Sequence, residues 1–448
     1  MKHFRQMLAM LMCLFMLPAF AQAEEGLPLQ DAHRVTLTQQ VTMQKNGASV
    51  NLWQIETAQQ SVSDELNGIA KAWAAEIGPT LKAPGGGNSR VYVSIRHSRT
   101  GLTWMSFMVQ ARTVYHEKTQ AVRFTTRTYD MSTGEPVTLS DIFPAGSEAW
   151  GMLEEALREG VNAYFPDMAA DSEALEAACT REAIEQMDFT LQGMSLVLHL
   201  HAADFYPGKE QLIEVTLFYP DIRPHMTEKA QAETDNLNYY KTVALTYDDG
   251  PNGIISLQVM DVLLKTGTSA TFFLVGCRIP QQEWIVQKEH DEGHAIASHN
   301  YMHEYANSIS TPGLLDMAAK VDKVHKDAIG IPVRYARAPG GEWQGLARAQ
   351  VGWPLIQWSV SAEDWRGDNG PEPRRTASNI IASTEDGGII LMHDLKYNSI
   401  QASEMFITQL QEQGFLFLTV DEIFAKDGVT LEGDTPYWRC ADGVVTVN

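Results

Sequence analysis

Basic residues are scarce in this chain: 34 Lys and Arg stand against 56 Asp and Glu, for a formal net charge of −22. Such a surface repels a polyanion, which argues against nucleic acid as a partner. Cysteine is scarcer still, with four in 448 residues, too few for a disulfide framework and too scattered for a thiolate metal site. Beyond the amino terminus no apolar run approaches the roughly 20 residues that a membrane-spanning helix needs. What is present is core material. At 44% hydrophobic residues the chain can bury two or three domains, which excludes disorder and fibrous repeats.

The amino terminus has the order of a secretory signal peptide over residues 1–23: Lys2 and Arg5, an apolar run over residues 7–20, and a small-residue site ending at Ala23. The run is short and is interrupted by Pro18, so a membrane span is not expected. Cys13 lacks the small residue that a lipoprotein signal places before its cysteine. An exported protein is therefore expected, periplasmic or secreted, with no membrane span after cleavage. Of the remaining Cys179, Cys277 and Cys440, the last two could form one bridge in an oxidising compartment; buried free thiols are the alternative.

Residues 27–225 predict a smaller α+β domain. Runs such as VYVSIRHS, TWMSFMVQARTVY, AVRFTTRTYDM, MSLVLHLHA and QLIEVTLFY alternate with period two and predict antiparallel strands. Helices are predicted near residues 62–77, 148–164 and 172–186. The glycines at 85–87 read as a turn, because no strand-to-helix frame ending in Lys-Ser/Thr surrounds them. Residues 226–240, TEKAQAETDNLN at their centre, read as a linker or short solvated helix. From 241 to 430 the rhythm changes. Seven short apolar runs, TVALTY, ATFFLVG, HAIASH, VRYARAP, LIQWSV, GGIILMH and FLFLTV, alternate with segments of helical period. That alternation predicts an α/β fold with a parallel sheet, closed or nearly closed into a distorted barrel of seven or eight βα units. A tail over 431–448 follows.

Ionisable residues fall at the ends of these runs: Asp248 and Asp249, His299, Arg337, Asp364 and His393. In a parallel α/β barrel such ends converge on one face. His299 and His303 are four apart, so one helical turn would place both imidazoles on the same side. With Asp249 they would give a metal three protein ligands and leave positions open, as in catalytic rather than structural sites. Asp248 could then take a proton from water, provided that a partner such as Arg337 keeps its carboxylate ionised. Other histidines carry blander expectations: His290 as surface, His294 as structural, and His199 and His201 on a half-exposed strand.

TYDDGP, HNYMH, RAPGG, EDW and LMH, in that order over residues 241–424, resemble the five motifs of the NodB-type polysaccharide deacetylases, carbohydrate esterase family four. The resemblance implies Asp248 as general base, Asp249, His299 and His303 as metal ligands, and His393 as general acid. It further implies that Arg337 orients Asp248 and Asp364 orients His393, with Gly340, Trp365, Leu391 and Tyr301 at the substrate. The implied cofactor is a divalent ion, zinc before cobalt, nickel or manganese, and the implied partner an N-acetylated glycan, peptidoglycan first. Two positions depart from the family's commonest pattern: Gly340 stands where Tyr is frequent, which would open one wall of the pocket, and Asn300 where Thr is frequent. EPVTLSDIFPAGSEAW and FTLQGMSLVLHLHAADFYPGKEQLIEVTLFYPDIRP resemble an extracellular domain that precedes some peptidoglycan deacetylases and forms the outer part of lysozyme-sensing anti-sigma factors. Deacetylation of chitooligosaccharides, O-acetyl ester hydrolysis on xylan, and a non-catalytic cell-wall or lysozyme-binding role are the alternatives. A two-His, one-Asp iron oxygenase triad is a further one, but it leaves Asp248, Arg337 and His393 without a purpose.

Overall fold

The computed structural model describes residues 26–45, 47–81, 89–366, 370–441 and 444–446; the expected signal peptide and the glycine turn at 85–87 lie outside them. The amino-terminal half is built on a sheet of six strands in chain order, Val35–Met43, Ser49–Thr57, Ser89–Thr100, Trp104–Tyr115, Lys118–Asp130 and Glu135–Pro136. Its neighbours are antiparallel except Ser49–Thr57 and Ser89–Thr100, which run parallel. A parallel pair needs a crossover, and the helix Gln60–Ile77 provides it. That helix carries Val62, Leu66, Ala70 and Trp73 on one face, packed against Ile55, Val93, Ile95 and Phe107 of the sheet. A second antiparallel sheet joins Phe189–Leu191, Ser195–His201 and Leu212–Phe218, covered by Leu153, Leu157 and Val161 of the helix Ala149–Ala163. The third predicted helix is broken into Ser172–Ala178 and Arg181–Glu185, because Thr180 between them caps the second through the Ala183 N–H.

In the carboxy-terminal half every strand of the main sheet is parallel. Lys241–Asp248 lies at the centre and pairs with Thr271–Leu274, Gly388–His393 and Phe415–Leu418; Ala295–Ser298 and Val360–Ser361 flank these. Helices such as Gly253–Thr266, Thr311–Ile329 and Tyr397–Glu412 connect them. The α/β expectation holds. A ring of seven or eight laddered strands is not what the pairing draws, however: the fourth predicted strand makes only the single bridges Ser298↔Ala336 and Ala336↔Leu355. One reason is local, since the Arg337 carbonyl accepts from His299 Nδ1 at 2.8 Å. The fifth run splits into Leu355–Ile356 and Val360–Ser361, the former paired with Pro436–Tyr437, so the tail joins the sheet.

The two halves share one core, in which Trp104, Leu196, Leu198 and Val215 pack in the same cluster as Phe273, Ala297, Leu416 and Ile423. Polar groups cross the seam too. Arg112 pairs with Asp291, both sealed from solvent, and Asp291 Oδ1 also accepts from the Leu212 N–H at 3.3 Å. Glu422 Oε1 accepts from the Met194 N–H and the Ser195 hydroxyl, each at 3.0 Å. This seam corrects two expectations. His290 is not at the surface: it is buried, with Nε2 3.0 Å from the Tyr164 hydroxyl and Nδ1 2.9 Å from Asp291 Oδ1. His199 is likewise buried rather than half-exposed, its Nε2 2.8 Å from Thr190 Oγ1. Residues 226–240 form the short helices Glu228–Glu233 and Asn236–Tyr239 and are clamped, not free: the Glu233 carboxylate accepts from the N–H groups of Leu102 and Thr103, and buried Asn236 donates to Thr100 Oγ1 at 2.9 Å. Cys179, Cys277 and Cys440 are all free thiols. Among the described residues no helix is long and apolar enough to cross a membrane.

Candidate metal centre

The carboxy-terminal ends of the parallel strands bring the motif residues together. Asp248 closes the central strand, in register with His393 on one side and Phe273 on the other. Asp249 follows in the left-handed region, at φ 81°, which turns it out of the strand direction that Asp248 keeps. Gly250 comes next for a steric reason: a Cβ there would lie 2.4 Å from Asp394 Oδ2. The Asp249 carbonyl accepts from Arg278 Nη1 and the Gly250 carbonyl from the Val275 N–H, which fixes the turn.

His299 and His303 approach each other without a helix. Asn300 and His303 both have φ 61°, so residues 299–304 form a tight irregular loop rather than the helical turn that the spacing suggested. Asn at 300 suits that conformation, because a short amide side chain tolerates the left-handed region better than a branched one. Its Nδ2 donates to the Glu304 carbonyl at 2.8 Å, while the Glu304 carboxylate accepts from the N–H groups of Tyr301 and Met302 at 3.1 and 2.7 Å. Glu304 thus holds the loop shut. No sequence signal singled it out, because an acidic residue in a polar loop resembles any solvated one.

One nitrogen each of His299 and His303 and one oxygen of Asp249 all lie within 4.8 Å of one another. Asp249 Oδ1 is 3.5 Å from His299 Nε2 and 3.2 Å from His303 Nε2, yet it is buried and accepts no hydrogen bond. His299 points Nδ1 at the Arg337 carbonyl, which fixes the proton there and leaves Nε2 as the lone-pair nitrogen facing Asp249. Burial would push the Asp249 carboxyl up, but the nearby imidazoles outweigh it and hold it at about 2; burial pulls His299 below the ordinary imidazole range. A ligand must be deprotonated to bind; Asp249 and His299 are shifted in that sense, whereas the pairing with Asp249 raises His303 above the ordinary imidazole range, so an ion would have to displace its proton. Two imidazoles and a carboxylate with an orphaned buried oxygen fit a divalent ion of zinc type.

Asp248 and His393 flank this set. The Arg337 guanidinium, fully buried, donates to Asp248 Oδ1 at 2.8 Å and also to Thr246 Oγ1 and to the carbonyls of Ile356 and Gln357, with Phe273 beneath it at 4.2 Å. Every bond pins the guanidinium, so Asp248 meets a fixed positive charge. Asp248 Oδ2 is left 3.8 Å from His299 Nε2. On the other flank, Asp364 grips His393 twice, through Nδ1 at 2.8 Å and through the backbone N–H at 2.9 Å, and is itself held by Ser399 at 2.7 Å. Burial lowers the His393 pKa, but the Asp364 carboxylate more than reverses this and raises it to about 9. Leu391 is buried two residues before His393, and Trp365 is about half exposed beside Asp364. Gly340 has φ 65°, and its N–H makes no hydrogen bond among the described residues. Tyr301 stands apart: its ring packs over Gly276 and into the cluster of Val321 and Leu346.

Residues 238–352 match the family model described as polysaccharide deacetylase. The chain is 27% identical over 303 residues to the peptidoglycan-N-acetylglucosamine deacetylase PgdA of Listeria monocytogenes, covering 66% of this chain and 64% of that protein. It is 28% identical over 183 residues to the peptidoglycan-N-acetylmuramic acid deacetylase PdaC of Bacillus subtilis, covering 41% and 38%. It is 32% identical over 206 residues to a bifunctional xylanase/deacetylase of Pseudobutyrivibrio xylanivorans, covering 45% and 34%. The chain therefore spans less than two thirds of the length of these relatives. Among solved structures, that of the B. subtilis deacetylase PdaC is 27% identical with a TM-score of 0.39, covering 41% of this chain and 90% of that one. The family match includes Asp248, Asp249, His299, His303, Arg337 and Gly340; Asp364 and His393 lie beyond it.

Proposed function

We propose that the protein is an exported, metal-dependent deacetylase that hydrolyses N-acetyl groups of a glycan, peptidoglycan first. The reading is carried by one observation, the buried Asp249 Oδ1, without a hydrogen bond, facing two imidazole nitrogens between an Arg-held carboxylate and an Asp-held imidazole. Asp249, His299 and His303 hold the ion. When bound, it supplies Lewis acidity toward the acetyl carbonyl and makes water easier to deprotonate.

The chain's own groups divide the remaining work. Asp248, held in place by Arg337, takes the proton of the attacking water at Oδ2. The Gly340 N–H donates to the oxygen on which negative charge develops. His393, protonated through its pairing with Asp364, gives a proton to the leaving amine as the C–N bond breaks. Leu391 and Trp365 enclose the acetyl group. The names of the relatives, deacetylases of peptidoglycan and a xylanase/deacetylase, support a polysaccharide substrate.

The test is acetate release by the chain from purified peptidoglycan, chitooligosaccharides and acetylated xylan, with zinc and with a chelator. Release from peptidoglycan that stops on chelation and returns with zinc is expected. No release from any of the three in zinc sinks the enzymatic reading; release from xylan alone replaces the amide with an ester.

A further inference from the structure

The loop that carries His303 also carries Tyr305, an aromatic residue outside the motifs. Its side chain is exposed although it is held in place: residue exposure is 53%, while its carbonyl accepts from the N–H and the hydroxyl of Ser308 at 3.2 and 2.8 Å. The ring meets two groups of the site. It stands edge-on to the His303 imidazole, with centroids 5.9 Å apart. It also covers Gly340, where a Cβ would come within 2.9 Å of its Cε1. The phenol oxygen has no hydrogen-bond partner among the described residues, so the ring rather than the hydroxyl is what the loop presents.

Gly340 and Tyr305 are thus a matched pair. The absent side chain at 340 makes room for a ring at 305, and the wall that the sequence left open is filled from another loop. The exposed ring thus lies beside Gly340, whose N–H makes no hydrogen bond among the described residues. An exposed aromatic plane next to a polar anchor is how a site grips an amphipathic ring, apolar C–H groups on the plane and polar groups on the anchor.

Resting on the deacetylase reading, we infer that Tyr305 is a specificity-determining residue: the pyranose ring bearing the acetamide lies on its face while the acetyl carbonyl reaches Gly340. The ligand class is an N-acetylated hexosamine within an oligosaccharide.

Tyr305→Ala and Tyr305→Phe in the full chain test this, because an exposed side chain can be truncated without opening the core. Binding is read by calorimetry in an Asp248→Asn background loaded with zinc, using N-acetylglucosamine tetrasaccharide and soluble peptidoglycan fragments. Hydrolysis is read on the same glycans and on methyl acetate, which has no ring. Tyr305→Ala should weaken glycan binding and raise glycan KM by about tenfold. Tyr305→Phe should stay close to the parent, and methyl acetate hydrolysis and zinc affinity should be unchanged in both. Glycan binding that survives Tyr305→Ala overturns the inference, as does an equal loss on methyl acetate, which would mean an effect through His303. Failure of the deacetylase reading looks different: the parent chain then releases no acetate from either glycan, and the binding arm judges Tyr305 alone.

Discussion

Replacing Asp364 with Asn isolates the role of one buried carboxylate in setting the charge of His393. Asp364 accepts from His393 Nδ1 at 2.8 Å and more than offsets the burial that would otherwise favour the neutral ring, so that the pKa stands at about 9. An amide keeps the hydrogen bond and removes the charge. The His393 pKa should then fall toward the ordinary imidazole value of about 6.5, since burial is then opposed only by the charges of Asp248 and Asp249. At pH 8 the protonated fraction drops from roughly 0.9 to roughly 0.03, a loss of about 30-fold in the form able to donate to the amine. The sign follows from the role. An acid with a raised pKa works below that pKa and is lost as pH rises through it, so the parent should hold its rate up to about pH 9 while the variant declines from near 6.5. Initial rates of acetate release between pH 5.5 and 10, at saturating zinc, read both limbs. A variant whose alkaline limb coincides with the parent's would falsify the assignment of His393 as the acid.

Two further outcomes are expected. Removing one partner of the sealed Arg112–Asp291 pair, as in Arg112→Met, should cost about 3 kcal/mol in urea unfolding, because a buried carboxylate loses its guanidinium and keeps only His290 and the Leu212 N–H; the double variant Arg112→Met with Asp291→Leu should recover much of this, and equal losses would refute a paired charge. Glu304→Ala should weaken zinc binding by about 10- to 100-fold, as loss of an outer-shell support typically does, with activity restored at high zinc; a chromophoric chelator competition reads the affinity, and an unchanged value would show that the loop holds without Glu304.

The positions of Asp248, Asp249, His299, Arg337 and His393 were legible because buried parallel strands are short apolar runs, and a polar residue that ends such a run marks the rim of the sheet. The route by which His303 reaches Asp249 was not. A spacing of four is shared by a helical turn and by a loop with two left-handed residues, and only the second occurs. Tyr305 was invisible for a related reason, since nothing in the local letters says that its ring will meet Gly340 from a separate loop. The seam misled most. His290 lies between Glu289 and Asp291 and so reads as solvated, and nothing in the sequence singled out Asp291, Arg112 or Glu422. Their burial is a property of the other half of the chain.

That shared interior bears on how this architecture can be inherited. Cutting the gene within residues 226–240 would separate Leu196 and Val215 from Phe273 and Leu416 and strip the cover from the Arg112 guanidinium. Each fragment of this chain would then expose apolar and charged surface that the other now covers. A change of volume at Leu196 or Val215 in the amino-terminal half would therefore be felt beneath the strands that carry the metal ligands.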